Sequence, residues 1–150
     1  MRLRIQLFLA ALALAATPAS AQEIPESAYR AAAGCWTVAP VGPAPWLAAV
    51  DLRLVLTLQP LEGMFESPQM LVRPGSDPNG EAAGYPFAAW SLYADGAVVS
   101  VVWSSENDQI GLTFEPGPAR RGAPGSTTYF RHETMETTEP VEVGVTGTSC

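Results

Sequence analysis

Two stretches of the chain alternate apolar and polar residues with a period of two. Val50 to Gln59 reads VDLRLVLTLQ, with Val50, Leu52, Leu54, Leu56 and Leu58 on one face and Asp51, Arg53, Val55, Thr57 and Gln59 on the other. A helix has a period of 3.6, so strict alternation predicts a strand. Residues 86 to 115 repeat the pattern three times. Asp95-Gly96 predicts a type I′ hairpin turn, in which both central residues take φ > 0. A two-residue loop there pairs Tyr93 with Val98, Leu92 with Val99 and Trp90 with Val101. A second turn over Ser105-Glu106-Asn107-Asp108 pairs Trp103 with Ile110, Val101 with Leu112 and Val99 with Phe114. Both turns put Ala88, Trp90, Leu92, Ala97, Val99, Val101, Trp103, Ile110, Leu112 and Phe114 on one face. Ala89, Ser91, Tyr93, Val98, Ser100, Val102, Gly111, Thr113 and Glu115 take the other. A slip of one residue would exchange the faces, so two agreeing turns argue for this register.

The remaining elements are shorter. Glu23 to Ala33 predicts a helix, with Ser27 as its cap and Gly34 as its stop. A strand begins at Cys35. Pro40, Pro43 and Pro45 then make a loop that carries Trp46. A weaker strand over Met64 to Val72 is interrupted by Pro68, which marks an edge or a bulge. Residues 74 to 86 form a long loop, and residues 116 to 125 a second one holding the basic pair Arg120-Arg121. Strands are predicted over Thr127 to His132 and Val141 to Ser149.

Eight strands with short connections and one apolar face predict an all-β fold. It is an eight-stranded antiparallel up-and-down barrel with a short N-terminal helix, the alternative being a two-sheet β-sandwich. The cysteines bear on this choice. Cys35 alternates with Trp36, and Cys150 with Val141, Val143 and Val145, so both thiols take the outward face. In a closed barrel the first and last strands are neighbours, and the thiols can meet. An internal Cys35–Cys150 disulfide is expected, with a free thiol or an intermolecular bridge as the alternatives.

Residues 1–21 have the form of a secretory signal peptide: Arg2 and Arg4, an apolar run from Ile5 to Ala16, and the small residues Ala19-Ser20-Ala21. The apolar run is shorter than the roughly 20 residues of a membrane span. Export to the periplasm or the extracellular space is expected, leaving residues 22–150 as one barrel domain with no transmembrane segment. It takes the cysteines to an oxidising compartment. Losing Arg2 and Arg4 moves the formal charge from −7 to −9, and the chain has no lysine. Such a domain repels phosphate backbones, so nucleic acid is not an expected partner. Nothing in the sequence sets the oligomeric state.

Gly34-Cys35-Trp36, after a short helix and at the first of eight strands, resembles the G-x-W signature of lipocalins and the wider calycin group. Thr127-Thr128-Tyr129 is a loose echo of their T-D-Y motif, without the Asp. The resemblance implies that Trp36 closes the base of the barrel under a later arginine, for which Arg131 is the candidate by position. It also implies a binding protein.

Residue chemistry does not point to an enzyme. His132 is the only histidine, and His132-Glu133-Thr134-Met135-Glu136 lacks the second His of a zinc-binding H-E-x-x-H. There is no G-x-S-x-G and no phosphate-cradling glycine loop. Asp77, Asn79 and Glu81 are spaced like part of a Ca²⁺ loop, but Pro78 and the missing distal Glu argue against one. No cofactor and no metal are expected. The aromatic residues are the remaining signal. Trp36, Trp90, Trp103 and Phe114 fall on the expected interior, and Trp46 and Tyr85 in loops at an open mouth. An eight-stranded barrel is filled by side chains or holds one small ligand. A small hydrophobic ligand among these six residues is the expected partner. The alternative is an inhibitor or protein-interaction barrel. It would meet a basic protein through the 74–86 or 116–125 loop, helped by its acidity.

Overall fold

The computed structural model describes residues 23–62, 68–77, 84–117, 120 and 122–150. The leader-like segment lies outside them. One helix, α1 (Glu26–Ala32), precedes β1 (Gly34–Pro40), β2 (Arg53–Pro60), β3 (Met70–Pro74), β4 (Phe87–Tyr93) and β5 (Val98–Ser104). There follow β6 (Asp108–Phe114), β7 (Ala123–Arg131), β8 (Glu136–Thr137) and β9 (Val141–Thr148). Each of β1 to β6 pairs antiparallel with the next. β6 then pairs with β7, β7 with β9 and β9 with β1. The ladder is a closed ring of eight strands, which excludes the two-sheet sandwich. Closure removes both unpaired edges that an open sheet would present. β8 is a two-residue arm on β7 and takes no part in the ring.

The β4–β5 and β5–β6 registers are those that the turns dictate, including Trp90 opposite Val101 and Trp103 opposite both Ala88 and Ile110. At the first turn Asp95 and Gly96 have φ of 56° and 90°, and the Ala97 amide donates to the Ala94 carbonyl at 3.0 Å. These are the features of a type I′ turn. Ala94 also has positive φ, at 49°, so Ala94 and Ala97 leave the ladder and Ala97 is exposed rather than inward. The tip meets the helix: a Cβ on Gly96 would come within 3.1 Å of the Ala28 methyl.

The inward faces of β1, β2, β5, β6 and β9 supply most of the core, with Val99, Val101, Ile110, Leu112, Leu54, Leu56, Val143 and Val145 all buried. Full burial of one such side chain contributes about 1.5–3 kcal/mol. Three expectations from the alternation fail locally. Leu58 is 41% exposed, because the β2–β3 register shifts between Leu56 and Pro60 and carries the end of β2 off the core. Ala89 and Ser91 are buried on the outer face of β4, where Ala89 sits between Leu71 and Val102. β7 begins at Ala123, four residues earlier than expected, because Ala123 to Ser126 pair with β9, and Gly125 and Ser126 with β6 as well.

The barrel has two ends. The base carries α1, the 94–97 turn and the start of β1. Pro25, not Ser27, occupies the position before α1, with no side-chain cap. Tyr29 and Ala32, three residues apart on one face of α1, are buried against the barrel. The mouth carries the β1–β2 connection, in which Pro45–Ala49 forms a 3₁₀ turn with Leu47 buried, and the ends of β3, β5 and β7. Asp51 ties two mouth segments together by accepting from the Arg53 amide at 2.9 Å and the Ser76 amide at 2.8 Å.

Candidate functional site

The base is sealed. Trp36 is fully buried, its ring 5.0 Å from that of Phe114, and its indole N–H donates to the Ala32 carbonyl at 2.9 Å. An arginine does cover it, but not Arg131. The Arg120 guanidinium lies 4.4 Å from the Trp36 ring and donates to the Cys35 carbonyl at 2.8 Å. Arg131 is exposed at the opposite end of β7. Two glycines admit Arg120. Gly34, at φ +118°, would put a Cβ 2.6 Å from Arg120 Nη1, and Gly147 would put one 2.5 Å from Arg120 Cβ. Beside them Cys35 and Cys150 form the expected disulfide, with Cα atoms 5.3 Å apart.

The interior aromatic residues are engaged with the protein. The Trp90 indole donates to the Thr57 carbonyl at 2.8 Å, and its ring packs 5.6 Å from Tyr29. Trp103 is buried in the row Ala88–Trp103–Ile110–Tyr129 that crosses four strands toward the mouth. Four clefts lined by described residues have walls without Trp36, Trp90 or Trp103.

Trp46 and Tyr85 come together at the mouth. With Pro45, Ala49, Asp108 and Tyr129 they line a cleft of about 360 Å³. Pro45 starts the 3₁₀ turn that lays Trp46 over the barrel opening. Its indole stacks on Tyr129, with centroids 6.1 Å apart and planes 20° from parallel. The indole N–H donates to Thr127 Oγ1 at 3.1 Å, and Thr127, itself fully buried, donates to the Gly111 carbonyl at 2.8 Å. The Trp46 side chain is therefore held at both its face and its edge.

Asp108 is the polar centre of the cleft. Its Oδ1 accepts from the Ser105 hydroxyl at 2.6 Å and its Oδ2 from the Tyr129 hydroxyl at 2.8 Å. Tyr85 lines the same cleft beside this carboxylate. The Ser105 bond, foremost, and the two tyrosines hold the Asp108 carboxyl below its usual range. Burial, then the neighbouring Asp108 charge, pushes the Tyr85 phenol up to about 12. At neutral pH the cleft thus holds the Asp108 carboxylate and a neutral Tyr85 phenol.

Sequence reasoning named Trp46 and Tyr85 but not Asp108, Thr127 or Tyr129. Asp108 carried a usable signal. It shares parity with Ile110, Leu112 and Phe114, so it is a carboxylate on the inward face at the lip of the barrel. Tyr129 lies within the strand predicted over Thr127 to His132, but no turn or clear alternation sets which way its side chain faces. The 74–86 and 116–125 loops fall partly outside the described residues, as does Arg121. Among the described residues no group of His, Cys, Asp or Glu is arranged to hold a metal ion, and no helix is long and apolar enough to cross a membrane. No family model, curated protein or solved structure matches the chain.

Proposed function

We propose that this is an exported, lipocalin-like barrel that binds a small, largely apolar organic molecule at its mouth, between Trp46, Tyr85 and Tyr129. The observation that carries the reading is the cleft of about 360 Å³, walled by aromatic rings and centred on one carboxylate. Small-molecule sites have this make-up: concave, mostly apolar, with a few placed polar groups. The mouth of a small barrel is a common position for one. The two hydrogen bonds through Thr127 and the stack on Tyr129 fix Trp46 before any ligand arrives, which lowers the ordering cost of binding. In this reading Trp36, Trp90, Trp103 and Phe114 are the packed support beneath the site. The disulfide and the leader-like pattern of residues 1–21 support export.

The test uses the neutral fluorescent probe N-phenyl-1-naphthylamine. The protein is expected to bind it with quenching of tryptophan emission, and Trp46→Ala to weaken binding roughly tenfold or more while the chain stays folded. Undiminished binding by Trp46→Ala would remove the mouth as the site.

A further inference from the structure

Two of the three side-chain donors of the mouth cleft are committed by hydrogen bonds. The Trp46 N–H is given to Thr127 and the Tyr129 hydroxyl to Asp108 Oδ2, while Tyr85 lines the cleft beside the same carboxylate. What the side chains still offer a guest are mainly acceptors: the two phenol oxygens and the carboxylate. An ionised carboxylate has about four lone-pair directions, and hydrogen bonds from Ser105 and Tyr129 occupy two of them. That leaves room for a further donor. A guest bearing only acceptors, or a negative charge, would leave Asp108 facing it unpaired. A donor with a positive charge meets the carboxylate, the phenol oxygens and the electron-rich faces of the rings together.

From this arrangement, which rests on the mouth being a ligand site, we propose that the bound molecule is an organic monocation. It would be an amine whose apolar body lies against the Trp46–Tyr129 stack and whose ammonium meets Asp108. The surrounding charges are few. Arg131 stands opposite Asp108 in the β6–β7 ladder and is exposed, and the described residues show no ion pair between them. His132 Nδ1 donates to the Glu106 carbonyl at 2.9 Å, on the outer side of the 105–108 turn. The net negative charge of the chain adds a long-range attraction for a cation.

Three probes of one size and shape separate the possibilities: 2-phenylethylamine, 2-phenylethanol and phenylacetate, titrated into the purified protein at pH 7 by calorimetry. The amine is expected to bind roughly tenfold or more tightly than the alcohol, with phenylacetate weakest. Asp108→Asn should bring amine and alcohol together, and Arg131→Gln should tighten the amine. The comparison in the unaltered protein needs no variant, so a poorly folding Asp108→Asn would not undo the test. Equal binding of all three, lost in Trp46→Ala, would keep the mouth as a ligand site and overturn the cation. Tighter binding of phenylacetate would do the same. Binding of none would overturn both.

Discussion

Around Trp36 a single indole is enclosed by a ring, a carbonyl and a guanidinium from three separate parts of the chain. Burial pulls the Arg120 pKa down from its ordinary value, yet the group gains from the Trp36 ring and the Cys35 carbonyl. Arg120→Ala removes a cation–π contact, a charge-assisted hydrogen bond and the aliphatic cover of the indole. A loss of about 1–3 kcal/mol is expected by urea denaturation. Arg131→Ala, at an exposed position, should change stability by about 0.5 kcal/mol or less. A larger cost for Arg131 than for Arg120 would reverse the assignment made here. The choice between the arginines was not legible in the sequence. It depends on the path of the β6–β7 connection, which returns across the base rather than the mouth. That some arginine would cover the tryptophan was implied only by the G-x-W resemblance at Gly34-Cys35-Trp36.

β2 shows how far alternation carries at the level of an element. Leu54 and Leu58 belong to one face by parity, but one is 1% exposed and the other 41%. Leu54→Asp puts an unpaired charge among Leu56, Trp36 and their neighbours and should cost several kcal/mol, enough to unfold a marginal domain. Leu58→Asp should stay within roughly 0.5–1 kcal/mol. Thermal melts of the two variants check this directly, and equal shifts would mean the register irregularity after Leu56 is misplaced. The β4–β5–β6 meander behaves differently. Its two turns pin every pair from Val98 to Phe114, because four- and three-residue connections leave the ladder no freedom to slip. β7 had no such turn before it, and its start was misjudged by four residues.

Closure is a property of the whole molecule. The ring is completed by β9 lying between β1 and β7, and the Cys35–Cys150 bond fastens β1 to the end of β9 across 115 positions of sequence. A cross-link over a loop of this length stabilises by up to about 4.7 kcal/mol in the chain-entropy view, with 2–4 kcal/mol typical. Replacing both cysteines by serine is expected to lower the Tm by roughly 10 °C without changing the fold. The check is a melt beside a circular dichroism spectrum, with non-reducing mass spectrometry of the native protein showing no free thiol. A doubled mass or two free thiols in the native protein would contradict the internal bond.

Strand identity, inward faces, the meander register, the barrel class and the parity of the cysteines were all present in the sequence. They follow from local periodicity and turn chemistry, which act over a few residues and survive in any packing. The partners of the long connections were not. Arg120 over Trp36, and Trp46 laid across the mouth onto Tyr129 and Thr127, join residues 81 to 84 positions apart. Only closure of the ring brings them within hydrogen-bonding or stacking distance. Alternation says which way a side chain points, and the curvature of the closed sheet decides what it meets.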